Sequence, residues 1–354
     1  MKRFLLLLVL FAVAALCASA AAEDGNVIEI RTVDDLKAVT DHPGARFRLM
    51  NDLDLRGEDW LPIPFSGELD GGNFGIYNLS VTRVGEEVRT TTDANWKEYE
   101  NVFAGLFSTV EDSTIRDLKV IGAHVAIEGK THTFAAILTG FAKYSNFDNV
   151  TVDGRVRLEN EAVMAGVGGV AGFGSGRFTN CSARVELVFN DLNRESRCEE
   201  FLGAILADGY SLVQYCTAEI DGYVSCFGYC HNGGLMGMYY TSGTKFELGL
   251  ENRIVNHNTV SGRIYFFEHN PDLRAYCKAA VGEIRTGLTK SKPNETKGWS
   301  KLETREYRQV LEPETCENPV YEDEIIPPED GAWGWTEHVC TTCGYRWRDQ
   351  YTAP

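Results

Sequence analysis

The feature that most constrains this chain is a six-residue phrase that recurs along it: apolar, any residue, Asn or Asp, apolar, any residue, apolar. It occurs at residues 76–81, 115–120, 147–152, 178–183, 213–218 and, with one extra residue, 254–260. Its third positions are Asn78, Asp117, Asn149, Asn180, Tyr215 and Asn256. The steps between these positions are 39, 32, 31, 35 and 41 residues, which indicates repeated units of similar length.

One such unit cannot bury a core by itself, because its strands are short and both of its edges are unpaired. Stacking solves both problems, since each strand then pairs with the same strand of the next coil, about 4.8 Å away. The pattern therefore predicts an all-β fold, a right-handed parallel β-helix (a solenoid) of about six coils. Stacked Asn and Asp side chains are expected to form a ladder at one bend. The predicted ladder residues are Asn78, Asp117, Asn149, Asn180 and Asn256.

The start of a solenoid needs a cover, because an exposed first coil would template aggregation. Residues 32–36 form a Thr-x-x-Asp capping box that precedes an apolar residue, which predicts a short helix. We therefore expect a β-helix with an N-terminal helical cap over residues 23–284.

Several segments of the predicted first coils also carry a family resemblance. They are residues 47–55, 60–63, 65–72, 76–79 and the Gly-Leu-Phe-Ser stretch at 105–108. Together they resemble the opening coils of bacterial secreted β-helix proteins with GLUG-type repeats, over roughly residues 28–282. The resemblance implies an extracellular or surface-attached bacterial protein, often adhesin-like. It implies no specific reaction, because such proteins share a scaffold rather than a site.

Residues 1–22 have the pattern of a secretory signal peptide. Lys2 and Arg3 precede an apolar run at 4–16, which is too short to span a bilayer of roughly 30 Å. Small residues follow at 18–20, where signal peptidase cleaves. The alternative is an N-terminal membrane anchor. An anchor would carry charged residues directly after the apolar run, where this chain has small residues. We therefore expect an extracellular or cell-surface protein with no membrane insertion after cleavage.

The net charge of −17 excludes one class of partner. A protein that binds nucleic acid needs a basic surface to neutralise phosphates, so no nucleic-acid partner is expected. The same acidity disfavours docking on anionic lipid.

The C-terminal part differs from the repeats. Residues 285–313 are polar and indicate a linker, and residues 314–354 form a small Cys-containing module. Cys340 and Cys343 have zinc-knuckle spacing, which predicts a zinc-ribbon-like site with Cys316 and His338 as further ligands. The alternative is a disulfide, which an oxidising compartment favours. The module also resembles Cys-x-x-Cys-Gly repeats at the ends of large surface proteins of Gram-positive anaerobes, which implies further units after Pro354.

Other cysteines have less diagnostic spacing. Cys181 and Cys216 share one phrase position, so we expect them to be stacked, buried and unpaired. The remaining candidates could form disulfides or a second metal site, with bridging the favoured outcome. They are Cys198, Cys226, Cys230 with the adjacent His231, and Cys277.

Two polar patterns in the sequence resemble functional sites. Asp52, Asp54 and Asp70 could form a carboxylate cluster for Ca²⁺ or glycoside chemistry, but a solvated strand face with a turn is the favoured reading. Three glycosylation-type triplets begin at Asn78, Asn149 and Asn180, and their ladder positions indicate accidental matches.

No hydrolase, metalloprotease, P-loop or dinucleotide-binding signature is present in the sequence. We therefore expect a non-enzymatic, adhesin-like scaffold that binds an extended extracellular glycan or a surface or matrix protein. The alternative is a polysaccharide lyase or glycoside hydrolase, which needs converging charged side chains on one strand face. A third possibility is a spacer that projects another domain.

Overall fold

A computed structural model describes residues 27–85, 89–92, 98–193, 198–240, 255–268, 275–278, 281–285, 320–328, 334–342 and 346–352. The predicted signal peptide, all but the first residue of the predicted linker, Cys316 and Cys343 lie outside these residues, as does the side chain of Cys277.

The N-terminal elements are short. They are β1 Val27–Ile30, helix α1 Val33–Lys37, a 3-10 turn at Ala38–Asp41, β2 Arg46–Leu49, β3 Leu53–Asp54, β4 Ile63–Phe65, β5 Glu68–Asp70, β6 Gly75–Tyr77, β7 Ser80–Val81, β8 Arg89–Thr92 and β9 Glu98–Ala104.

Longer strands follow in a repeating order. They are β10 Phe107–Glu111, β11 Thr114–Arg116, β12 Lys119–Gly129, β13 His132–Ala136, β14 Thr139–Asp148, β15 Thr151–Asn160, β16 Met164–Gly168, β17 Ala171–Thr179, β18 Ser182–Asp191, β19 Glu199–Gly203, β20 Leu206–Gln214, β21 Thr217–Cys226 and β22 Tyr229–Gly233. The last strands are β23 Met236–Tyr240, β24 Val255–Asn256, β25 Thr259–Glu268, β26 Ala275–Lys278, β27 Val281–Arg285, β28 Tyr321–Ile326, β29 Gly334–Cys340 and β30 Arg346–Thr352.

The described strands form a parallel β-solenoid with about four regular turns. Coils with shorter or less regular strands precede and follow these turns. Sheet A runs β1-β2-β5-β11-β14-β17-β20-β23-β27, with β4, β10 and β24 beside this path. Sheet B runs β25-β21-β18-β15-β12-β6-β3, with β7 beside it, and sheet C runs β26-β22-β19-β16-β13-β9-β8. The chain passes through A, B and C in turn, so the predicted all-β parallel solenoid is confirmed. β28, β29 and β30 form a separate antiparallel sheet.

Apolar columns fill the interior. One column in sheet A consists of Ile115, Phe147, Phe178, Val213 and Val255, all in register and at most 4% exposed. The rings of Phe147 and Phe178 stack with centroids 4.8 Å apart. Because each buried side chain covers its counterpart in the next coil, the hydrophobic gain is repeated with every turn of the solenoid.

The capping box at the start of α1 is present. Thr32 Oγ1 accepts a hydrogen bond from the Asp35 backbone N–H, and the Asp35 carboxylate accepts one from the Thr32 N–H at 2.9 Å. The helix buries Leu36.

One corner of the solenoid, between sheets A and B, holds a file of left-handed residues. The file consists of Asp117, Asn149, Asn180, Tyr215 and His257, with φ between 53° and 57°. Asn and Asp tolerate this conformation because their short polar side chains can hydrogen-bond locally. The backbone N–H of Asn149 donates to Thr179 O at 3.0 Å, so the parallel ladder continues through the turn.

Asn78 does not belong to this file, which corrects its predicted place in the ladder. Tyr77 pairs with Ile121, so Asn78 lies opposite Gly122. Asn78 therefore follows β6 of sheet B instead of lying at the corner between sheets A and B. The first coil has four residues between Asp70 and Gly75, where the next coil has two between Arg116 and Lys119. Asn78 is still left-handed, with φ 57°, and the longer turn explains why the same phrase occupies a different place.

Asn256 is also displaced by one position. It pairs with Gln214, so His257 follows at the left-handed turn and stacks on Tyr215 with ring centroids 5.1 Å apart. Asn258 takes the inward position, where its side chain accepts from Cys216 N–H and donates to Val213 O. A one-residue slip would turn every later side chain to the other face, so the apolar pattern of β25 fixes this register.

Candidate functional site

The outer face of sheet B is formed by long, regular strands. Strands β12, β15, β18 and β21 each span ten or eleven residues, and most of their outward side chains are polar, with Ala126 and Val188 as apolar exceptions. The outward charges pair along the solenoid axis. Arg155 Nε lies 2.8 Å from Glu186 Oε1, and Arg184 forms an ion pair with Asp153.

An open groove of about 650 Å³ lies at one end of this face. It is lined by Thr82, Arg83, Val84, Ala126, Ile127, Glu128, Arg157 and Glu159. The register of β12 and β15 places Glu128 beside Glu159 and Ala126 beside Arg157. Arg83 lies in the segment after β7. The groove therefore combines side chains from three successive coils: the segment after β7, then β12, then β15.

The charges in the groove are partly paired. Arg157 Nη2 lies 2.5 Å from Glu159 Oε1. Arg83 forms an ion pair with Asp59, and its hydrogen bond holds the pKa of Asp59 below the usual range. Glu128 is exposed. The groove can therefore offer guanidinium donors and carboxylate acceptors to a polar ligand.

Asp52, Asp54 and Asp70 tie neighbouring segments together. Asp52 accepts from Gly75 N–H at 2.7 Å, and Asp54 accepts from the Asn78 amide at 2.7 Å. Asp70 accepts from Arg116 Nη2 at 2.6 Å and from the N–H of Gly72. Each of the three carboxylates therefore accepts a hydrogen bond from its own partner, and the Asp70 bond to Gly72 N–H lies in the predicted turn.

Cys181 and Cys216 are stacked, buried and unpaired, as expected. Each thiol contacts backbone carbonyl oxygens, among them Thr179 O for Cys181 and Gln214 O for Cys216. Burial, and then the neighbouring Cys216, raises the pKa of the Cys181 thiol well above its usual value. These thiols are therefore small core residues.

Cys226 and Cys230 form a disulfide, which was the favoured outcome for this group. Cys198 is buried, and its Sγ lies 3.9 Å from the carbonyl oxygen of Asn193. Sequence reasoning missed Glu200, which is 1% exposed and lies beside the disulfide. No sequence signal distinguishes Glu200 from its neighbour Glu199; only the inward position in β19 does.

The C-terminal sheet contains two of the four predicted zinc ligands. His338 and Cys340 lie on the same, buried face of β29. His338 Nδ1 lies 2.7 Å from Asp323 Oδ1. Cys316 and Cys343 lie outside the described residues, so the predicted site is described only in part.

Comparison with protein-family models, curated proteins and solved structures found no significant match to this chain. Within the described part of the chain, the structure contains no helix of the length and apolar character that a bilayer crossing requires.

Proposed function

We propose that this protein is a secreted or cell-surface β-solenoid scaffold that binds extended polymers, glycans or matrix protein, in an adhesin-like role without chemistry. The observation that carries the proposal is the outer face of sheet B with the charged groove at its end. It is a long, regular, polar surface rather than an enclosed pocket.

The geometry of the face suits a ligand with its own repeat. Equivalent positions recur about every 4.8 Å along the axis, so an extended polymer can meet several of them at once. One row consists of hydroxyl side chains at Thr151, Ser182, Thr217 and Thr259. Hydroxyls both donate and accept, as sugar hydroxyls require of a partner. Axial ion pairs neutralise the charged rows, so a neutral glycan would meet little uncompensated charge.

Glycoside hydrolysis or polysaccharide lysis is the alternative, and one observation favours it. Glu128 and Glu159 are in-register neighbours in the groove, so their Cα atoms lie about 4.8 Å apart. A retaining mechanism requires carboxyl groups about 5 Å apart, so these two side chains would have to bring their carboxyl groups to that separation. Arg83 and Arg157 could bind an acidic sugar beside them.

A single experiment separates these functions. The full chain is applied to a glycan array, and bound glycans are then incubated with the protein and analysed for shorter products. We expect retention without cleavage, at least tenfold weaker binding by Arg157→Ala, and no effect of Arg46→Ala. Arg46 is a matched control, because it forms an exposed ion pair with Glu68 on sheet A.

Cleavage products that disappear in Glu128→Gln would establish the alternative. Absence of binding to glycans and to matrix proteins would overturn the polymer-binding proposal.

The proposal includes the right-handed winding, the helical cap and secretion after removal of residues 1–22. It also includes zinc at Cys316, His338, Cys340 and Cys343. The Asp323 contact to His338 Nδ1 supports this site, because metal-binding histidines commonly bond a carboxylate through one ring nitrogen. Metal analysis of the full chain tests it: Cys340→Ser should lower the zinc content, and a wild-type chain without zinc would refute it.

A further inference from the structure

A buried polar cluster lies where sheet B turns into sheet C, far from the groove's residues in sequence. Cys226 ends β21, and Cys230 follows in β22. Glu200 in β19 pairs in register with Cys230. Two consecutive coils therefore bring a carboxyl group and two sulfur atoms to one inner corner.

The contacts at this corner are close. Oε2 of Glu200 lies 3.2 Å from Sγ of Cys230, and one carboxylate oxygen and both sulfur atoms lie within 4.8 Å of one another. Glu200 is 1% exposed, and its Oε1 has no hydrogen-bond partner among the described residues. The structure therefore holds a buried carboxyl group beside two sulfurs, with Oε2 in contact with Cys230 and Oε1 without a hydrogen-bond partner among the described residues.

This arrangement is costly as it stands. A disulfide sulfur carries no proton, so Cys230 cannot donate to Glu200 while the bridge is intact. Burial, and then the nearby Asp191 carboxyl, raises the pKa of Glu200 well above its usual value. Asp191 itself accepts from the N–H groups of Asn193 and Phe227. A bound cation would supply a partner for the Glu200 oxygen that has none among the described residues.

We propose that reduction of the Cys226–Cys230 disulfide converts this corner into a binding site for a divalent cation of the zinc class, held by Cys226, Cys230 and Glu200. Two thiolates and one carboxylate are the donor types that Zn²⁺ takes in proteins. Thiolates also disfavour Ca²⁺ and Mg²⁺, which require oxygen ligands.

The redox step needs an external dithiol. The dithiol gives two electrons and two protons, the S–S bond breaks, two thiols form, and the dithiol becomes a cyclic disulfide. Zn²⁺ then displaces both thiol protons and the proton of Glu200, which leave to solvent. Exchange with an external disulfide reverses the step: it takes two electrons from the two thiolates and two protons from solvent, leaves as two thiols, and the re-formed S–S bond removes two ligands and releases the metal.

Cys198, in the preceding coil, packs against the turn that joins Cys226 to Cys230. Its carbonyl oxygen accepts from Tyr229 N–H at 2.7 Å, and a Cβ on Gly228 would lie 2.7 Å from Cys198 Cβ. His231 follows Cys230 directly, and adjacent strand residues point to opposite faces. It stacks on Phe201 with ring centroids 5.1 Å apart, away from the sulfurs.

The test measures Zn²⁺ binding to the full chain before and after reduction with a dithiol, in a Cys316→Ser, Cys340→Ser, Cys343→Ser background that removes the C-terminal cysteines. We expect about one additional equivalent of Zn²⁺ after reduction. Glu200→Gln, which keeps the shape of the side chain, should weaken binding at least tenfold, as loss of a ligand does. Bound Co²⁺ should show thiolate charge-transfer absorption.

Cys181→Ser, Cys216→Ser is the matched control, because it removes two buried cysteines from neighbouring coils and should leave the additional equivalent intact. Cys226→Ser, Cys230→Ser should abolish it. A second measurement needs no folded variant: Zn²⁺ should slow alkylation of Cys226 and Cys230 in the reduced wild-type chain. Equal Zn²⁺ binding before and after reduction, or alkylation that Zn²⁺ leaves unchanged, would overturn the proposal.

Discussion

Asn149 donates its side-chain amide to Oδ1 of Asp117 in the preceding coil, at 2.7 Å, and both residues have left-handed backbones with φ of 54° and 53°. The same residues therefore make the turn and connect consecutive coils. Asn180 uses a different acceptor, Asp148 Oδ1, at 2.8 Å. The file is thus a set of amide-to-carboxylate links rather than a continuous Asn-to-Asn ladder.

The turn conformation at Asn149 can be tested by replacing it with Val and with Gly. Val is strained at positive φ, which costs roughly 1–2 kcal/mol, and it also loses the hydrogen bond, worth about 1 kcal/mol. Gly adopts the conformation freely and loses mainly the hydrogen bond. We expect the urea midpoint to fall more for Asn149→Val than for Asn149→Gly. Equal midpoints would show that the left-handed turn carries no stability.

Gly174 tests close approach between coils. Its φ is 137°, and a Cβ would lie 1.8 Å from the carbonyl oxygen of Ala142. We expect Gly174→Ala to lower the free energy of unfolding by about 4 kcal/mol, because backbone cannot move aside. Gly44→Ala is the control, since Gly44 has φ of 79° and open space around the added Cβ, and should cost about 1–2 kcal/mol. Thermal unfolding of the two variants compares them, and a wild-type Tm for Gly174→Ala would contradict the coil packing.

The buried Glu200 predicts a pH dependence. Burial and Asp191 raise its folded-state pKa above the ordinary value of about 4.3, so folding favours the protonated carboxyl. This contribution is fully present below pH of about 4 and is lost as pH rises through the folded-state pKa. Urea midpoints between pH 4 and 8 should therefore fall for the wild type relative to Glu200→Gln. The exposed Glu219→Gln serves as the control, and parallel pH profiles for wild type and Glu200→Gln would refute this account.

Cys181 and Cys216 should resist alkylation. Both are 1% exposed, and burial raises the pKa of Cys181, so little thiolate is available to react. We expect peptide mapping after iodoacetamide treatment to find both unmodified in the native chain and modified in urea. Rapid modification of the native protein would show that this part of the core opens readily.

Much of the architecture could be predicted from the repeats. In the phrases that contain Asp117, Asn149 and Asn180, the same number of residues separates the strand of sheet A from the strand of sheet B. Aligning these phrases therefore predicts the register of the coils directly. Asn78 was misplaced because its turn contains two more residues, and no local pattern shows how many residues a turn holds. Asn256 was misplaced because the phrase requires an apolar residue directly after the turn. In the structure that buried position holds a polar residue, Asn258, so the alignment was shifted by one residue.

The sequence by itself determined that successive units stack as a parallel all-β solenoid, because period-two apolar patterns at a regular step leave each unit with faces that only its neighbours can cover. It also determined that Cys181 and Cys216 meet in the core. Only the tertiary structure decided which residues from different coils share a corner or a groove: Glu200 with Cys226 and Cys230, and Glu128 with Glu159. The reason is that such neighbours depend on strand register and turn length, which are set by packing over the whole coil rather than by the residues beside them in sequence.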